Sequence, residues 1–243
     1  GIAFLFFRVR GRTVGRGGGR SNRAIMATPP DSRSGGIRMT EQGEVISFRY
    51  ALPDIAHRHL EQLTSAMMLA LSGATSQPER SSKADEQLMA RLGHRSMKVY
   101  RELIDDPEFW TWYTSVSPIA HISSLPIASR PVSRTGGAVD FNNLRAIPWV
   151  FSWTQMRFNV PGWYGIGTAL CEAVEESSET LAVLKRWYQE WEFFGTLIDN
   201  AQQEMARARL IVARCYDEIP NSSFFKRTSA EFERAREAVL RIT

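Results

Sequence analysis

From Pro53 onward the apolar residues of this chain recur every three to four positions, and that spacing constrains the fold more than any other feature. Pro53 suits a first helical turn. Ile55, Leu60, Leu63, Met67 and Leu71 are predicted to share one face before Gly73 stops the helix. Residues 74–82 read as a polar linker. A second helix over about 84–104 puts Leu88, Leu92, Val99 and Leu103 on one stripe. Asp106-Pro107-Glu108 opens a short helix carrying Phe109, Trp110, Trp112 and Tyr113. After Pro161-Gly162 the spacing predicts helices over about 163–176, 179–192, 194–218 and 223–242.

Two segments break that pattern. Ile2-Ala3-Phe4-Leu5-Phe6-Phe7 is a short apolar run without polar alternation, which predicts a strand buried on both faces. Leu144 to Gln155 is apolar and aromatic enough for a second buried strand, although Pro148 argues against a central position. Ser21 is expected to cap a short helix over about 22–28, ended by Pro29-Pro30. Residues 31–36 read as a turn, and 37–50 as a polar segment flanked by apolar residues. Residues 118–143 read as irregular. Two buried strands so far apart cannot satisfy their edges without partners. The chain is therefore expected to be a piece of a larger sheet or barrel, beginning inside a strand.

The stretch Gly11-Arg12-Thr13-Val14-Gly15-Arg16-Gly17-Gly18-Gly19 directly follows the first apolar run. Glycines let the main chain approach a ligand closely, while arginines offer planar forks to phosphate or carboxylate. Nine of the 17 glycines lie in the first 50 residues, with nine arginines against Asp31, Glu41 and Glu44. The whole chain carries a formal charge of only +4, so positive potential is concentrated where an anion site needs it. Lysine is rare: four of the 30 basic residues.

Other chemistries find little support. Cys171 and Cys215 form no metal-ligand pair, and two cysteines in 243 residues point to a reducing, cytoplasmic setting. No apolar run approaches membrane-spanning length, and the opening residues lack the charged start and cleavage site of a signal peptide. The four histidines show no metal spacing, and the tryptophan pairs 110/112, 149/153 and 187/191 read as packing residues. Aromatic residues are not interleaved with the arginines of 8–23, which argues against a nucleic-acid arm.

Four blocks occur in order: Val14-Gly15-Arg16-Gly17-Gly18-Gly19, Ile37 to Ile46, Pro126-Ile127-Ala128-Ser129-Arg130-Pro131, and Leu144 to Gln155. The series resembles phosphoenolpyruvate carboxylase, over nearly the whole chain but only a C-terminal-half portion of that longer family. The resemblance implies an α/β, helix-rich fold. It would be a partial (β/α) TIM-type barrel with extra helices, incomplete in this chain. All of 1–243 would be one segment of that barrel. Within it, 1–50 would hold the glycine/arginine loop, 53–117 helices, 118–160 arginine-bearing loops and a strand, and 161–243 helices.

The implied reaction joins bicarbonate to phosphoenolpyruvate, giving oxaloacetate and phosphate by way of carboxyphosphate and an enolate. It uses Mg2+ or Mn2+, whose ligands are expected before Gly1. Carried over by position, Arg10 and Arg145 correspond to phosphate-binding arginines. Arg16 corresponds to the loop arginine needed for carboxylation, and Arg130 to another active-site arginine. Gly15, Gly17 and Gly18 would let the backbone reach substrate. Arg207 stands where the family often has a lysine of an inhibitor site for dicarboxylic acids. A homotetramer in the cytoplasm is implied, with no nucleic-acid or membrane partner.

The family's loop usually reads Phe-His-Gly-Arg-Gly-Gly, whereas this chain has Phe7-Arg8-Val9-Arg10-Gly11-Arg12. Arginine cannot exchange a proton near neutral pH as histidine does. With the metal carboxylates also expected elsewhere, the chain alone is expected to lack carboxylase activity. The alternatives are a non-catalytic remnant of that enzyme, or an arginine/glycine-rich module binding anions or nucleic acid. The basic cluster Arg207, Arg209 and Arg214 reads equally as a solvated face.

Overall fold

The computed structural model describes residues 10–11, 21–28, 39–40, 43–73, 82–125, 133, 140–216 and 223–243. The strand expected over 2–7 and the turn at 31–36 lie outside them. Among the described residues the architecture is helical, with a single pair of two-residue strands. Strand β1 (Arg10–Gly11) runs parallel to β2 (Met39–Thr40), with Arg10 opposite Met39 and Gly11 opposite Thr40. Helix α1 (Ser21–Met26) lies between them in the chain. A parallel pair requires such a crossover. Ser21 is the first residue of α1, and its buried hydroxyl makes no hydrogen bond among the described residues, so it does not cap the helix as expected.

The chain divides into two compact units, Gly1–Arg80 with Leu184–Asn200, and Ser81–Val183 with Ala201–Thr243.

In the first unit, α2 (Gly43–Tyr50) forms where only a polar segment was expected. Helix α3 (Pro53–Ser72) starts on a proline and ends at Gly73, whose φ of 73° lies in the left-handed region that glycine adopts without strain. Its buried face differs from the expected one. Ala66 and Ala70 are buried against Ile25 of α1, with Leu63 and Met67 at the edge, whereas Ile55, Leu60 and Leu71 are exposed. Small side chains let α1 approach α3 closely, and that contact outweighs the larger residues on the neighbouring stripe.

The second unit begins with α4 (Lys83–Ile104). Its Ser82 hydroxyl accepts the Asp85 N–H at 3.1 Å while the Asp85 carboxylate accepts the Ser82 N–H at 3.1 Å, a reciprocal cap. Leu88, Leu92, Val99 and Leu103 are all buried, as their spacing predicts. Then come α5 (Phe109–Val116) and α6 (Ile119–Ser124), the latter inside the stretch read as irregular.

Leu144 to Gln155 is not a strand: α7 spans Ala146–Gln155. Trp149, Ser152, Trp153 and Met156 are buried, a helical period that the local apolar density concealed. Pro148 falls in the first turn, where its missing N–H costs no intrahelical bond. The chain then turns through Arg157 and Asn159, both at positive φ, into a short 3-10 helix at Val160–Gly162.

Helix α8 (Ile166–Glu176) and α9 (Ser178–Glu190) follow in the chain, with residues from Leu184 to Asn200 counted in the first unit. The single helix expected over 194–218 is broken. Helix α10 covers Glu192–Arg207 and α11 Leu210–Ala213, with a 3-10 turn at Arg214–Tyr216. The break comes where the Arg209 N–H turns to the Arg157 carbonyl, 2.8 Å away. Helix α12 (Ser223–Ile242) ends the chain.

The core of this unit is aromatic. Phe109, Trp112, Tyr113, Trp153, Phe158 and Phe224 are buried in mutual contact, with ring centroids 4.9–6.3 Å apart. Each such ring contributes roughly 1.5–3 kcal/mol by burial alone. Tyr113 donates to the Ser152 hydroxyl at 2.8 Å, and the Trp149 indole donates to the Tyr100 hydroxyl at 3.0 Å. Burial pushes both phenols upward from the ordinary tyrosine range, Tyr100 to about 12.

Candidate functional site

Arg145 stands at the head of α7, at the position that caps it. A tight turn delivers it there. The Asp140 carboxylate accepts the Asn143 N–H at 2.9 Å and its side-chain amide at 2.7 Å, and the Asp140 carbonyl accepts the Leu144 N–H at 2.9 Å. Leu144 also bridges to Ser133. Asp140 is thus committed to Asn143. The Arg145 Nε is buried without a hydrogen-bond partner among the described residues. Arg145 thus brings a guanidinium to the N-terminal end of a helix, and both favour a negatively charged group.

Of the other expected substrate-binding residues, Arg10 is described by its backbone, in β1. Arg16, Arg130, Gly15, Gly17 and Gly18 lie outside the described residues.

Arg207 ends α10 and is exposed, but one face of its guanidinium is engaged. Its Nη1 donates to Glu204 Oε1 at 2.9 Å. Glu204 is buried and also accepts the Asn159 side-chain amide at 3.1 Å. The left-handed conformation of Asn159 (φ 51°) aims that amide, and Glu204 packs so closely on Gly162 that a Cβ there would overlap it. An incoming carboxylate would have to share Arg207 with a resident one.

A second charged cluster escaped the reading of the sequence. Glu231 of α12 is fully buried and accepts four hydrogen bonds at the head of α8. These come from the Gly165 N–H (3.1 Å), the Thr168 N–H (2.9 Å), the Thr168 hydroxyl and Arg234 Nε (3.0 Å). Its carboxylate thus caps a helix on another element. One signal was available: Glu231 falls on the stripe Phe224, Thr228, Ala235, Ala238 and Ile242, at helical spacing on an otherwise apolar face. Nearby, Arg95 grips Glu172 through two bonds of 2.6 Å, which raises the guanidinium pKa and lowers that of the carboxyl. Arg95 and Glu172 line a cleft of about 520 Å³ with Thr168, Arg234, Arg227 and Cys171. Cys171 is half-buried, and burial, then neighbouring glutamates, push its thiol pKa up, away from reactivity.

Among the described residues, no three His, Cys, Asp or Glu side chains group as they would around a metal ion. No described helix is long and apolar enough to cross a membrane.

Compared with known proteins, residues 1–243 match the family model of phosphoenolpyruvate carboxylase. The phosphoenolpyruvate carboxylase of Rhodothermus marinus is 54% identical over 249 residues, covering 100% of this chain and 27% of that relative. Those of Parasynechococcus marenigrum (strain WH8102) and Roseiflexus castenholzii (strain DSM 13941 / HLO8) are each 40% identical, covering 100% of this chain and 25% and 27% of theirs. The chain spans about a quarter of the length of these relatives. With all of its residues matched by the family model, and relatives 40–54% identical along its whole length, the chain belongs to the phosphoenolpyruvate carboxylase family.

Proposed function

We propose that this chain works as part of a longer carboxylase polypeptide that joins bicarbonate to phosphoenolpyruvate, giving oxaloacetate and phosphate. One observation carries the assignment of chemistry: the buried Arg145 Nε, without a partner among the described residues, at the positive N-terminal end of α7. A phosphate or carboxylate would satisfy both. Arg10, Arg16 and Arg130 complete the anion-holding set, and Gly15, Gly17 and Gly18 let the main chain approach the substrate.

In this reading a bicarbonate oxygen attacks phosphorus, the phosphorus–enol oxygen bond breaks, and carboxyphosphate and an enolate result. Carboxyphosphate divides into carbon dioxide and phosphate, and the enolate carbon captures the carbon dioxide. The arginines hold the anionic ends in line and exclude water, which would otherwise protonate the enolate. The family's reaction uses a divalent metal. The described residues do not fit it, because no three potential ligands converge among them.

The parallel β1–α1–β2 arrangement supports reading residues 1–243 as one segment of a (β/α) barrel. A homotetramer in the cytoplasm is part of the same proposal. Arg207 would meet a dicarboxylate inhibitor only in competition with Glu204.

The full-length carboxylase containing this segment is expected to form oxaloacetate from bicarbonate, phosphoenolpyruvate and Mg2+, followed by NADH oxidation through added malate dehydrogenase. The isolated 243-residue chain is expected to form none. A full-length protein without this activity overturns the reading.

A further inference from the structure

Arg145 makes no capping hydrogen bond with its own side chain at the head of α7. Its place is set by the residues around it. Asp140 directs three acceptors at the two residues just before it. Oδ1 accepts the Asn143 N–H at 2.9 Å, Oδ2 accepts the Asn143 side-chain amide at 2.7 Å, and the Asp140 carbonyl accepts the Leu144 N–H at 2.9 Å. Leu144 is buried in the core and bridges to Ser133. The same turn is docked on α7. The Phe141 ring stands edge-on to the Trp149 ring with 5.2 Å between centroids, and the Trp149 indole donates to the Tyr100 hydroxyl at 3.0 Å. The Trp149 N–H then closes the circuit on the Arg145 carbonyl at 3.2 Å. All of these residues belong to the second compact unit.

Asp140 and Asn143 are only half-buried, so their hydrogen bonds add modestly to global stability. The Arg145 Nε, by contrast, is buried. Its side chain therefore leaves the backbone inside an enclosed space, and its reach depends on how the backbone there is held. A guanidinium lies several bonds beyond its Cα, so a small rotation of the backbone at Arg145 swings the planar fork further than the backbone itself moves. A fork that must meet an anion in one geometry is sensitive to that.

We propose that Asp140 is a positioning residue: through Asn143 and Leu144 it fixes the backbone from which Arg145 emerges, and so aims the guanidinium at the anionic end of the substrate. This rests on the carboxylase reading of Arg145. Asp140 acts only through Arg145, and its effect should appear in the reaction more than in the melting temperature. The test is a double-mutant cycle on kcat/KM for phosphoenolpyruvate in the full-length carboxylase, using Asp140→Ala, Arg145→Ala and the double variant, each checked by a melting curve. Asp140→Ala is expected to lower kcat/KM about tenfold in the folded enzyme, within the roughly hundredfold that a 1 Å misplacement can cost. The double variant should then be no worse than Arg145→Ala alone. A turn that served folding alone would lower kcat/KM by the same factor whether or not Arg145 is present.

Asp140→Asn, whose side-chain oxygen can still accept the Asn143 N–H, is expected to recover part of the loss. Asn143→Ala, which removes only the 2.7 Å bond, is expected to show a smaller loss than Asp140→Ala. Equal factors with and without Arg145 overturn the proposal. So does an unchanged kcat/KM in Asn143→Ala, which decides the matter even if Asp140→Ala fails to fold. Absence of oxaloacetate from the unaltered enzyme, or an unchanged kcat/KM in Arg145→Ala, is a separate outcome, and it overturns the reading of the site itself.

Discussion

Glu231 of α12 accepts the backbone N–H of Thr168 at 2.9 Å, so a carboxylate buried on one helix caps the start of another, α8. The N–H of Gly165 and Arg234 Nε converge on the same group. Removing it would strand two amides and a guanidinium. Glu231→Ala is expected to destabilise the fold by about 3–5 kcal/mol, as breaking a buried, hydrogen-bonded charge does. Glu231→Gln keeps the shape and one acceptor and should cost roughly 1–3 kcal/mol. Urea unfolding of the two variants checks both values, and equal costs would show that the carboxylate charge is irrelevant.

The crossing of α8 and α12 leaves no room at Gly167. A Cβ there would overlap the backbone of Ala235, which cannot move aside as a side-chain tip would. Gly167→Ala should cost at least the ~1–3 kcal/mol of ordinary overpacking. At Gly162 the obstacle is the Glu204 side chain, so Gly162→Ala should be partly relieved by Glu204→Ala. Thermal melts of the single and double variants measure that coupling.

Tyr113 and Tyr100 make stability depend on alkaline pH. Their folded pKa values lie above the ordinary value of about 10 because burial penalises the phenolate, with Tyr100 at about 12. Below pH 10 neither state loses the proton, and the contribution is fully present. Above it the unfolded chain ionises first, so stability is lost as pH rises through the folded values, at up to about 1.4 kcal/mol per pH unit for each group. Urea midpoints between pH 9 and 12 should fall, and Tyr100→Phe should flatten the slope over that window.

Arg145 should matter to substrate more than to folding, because its Nε makes no hydrogen bond among the described residues. In the full-length enzyme, Arg145→Ala is expected to lower kcat/KM for phosphoenolpyruvate by about 10- to 100-fold, matching a charge-assisted hydrogen bond of roughly 1.5–3 kcal/mol. Arg145→Lys should recover only part, since a point charge cannot replace a planar fork. Steady-state kinetics with a melting curve separates this from misfolding.

The sequence by itself determined the long helices and their stops. Periodicity and the stop at Gly73 act within a few residues, and α3, α4 and α12 appear where those signals put them. It also held the ordered blocks of the carboxylase family. What only the tertiary structure decided was which partner each side chain meets. Leu144 to Gln155 became a helix because the aromatic core receives Trp149, Trp153 and Met156 at helical spacing. The inner face of α3 was set by α1 pressing on Ala66 and Ala70. Glu231 found Thr168 across 63 residues of chain, and Arg23 found Asp199 across 176. Such pairings depend on how helices cross, and helical period alone carries no record of that: it states which residues share a face, not what will stand opposite.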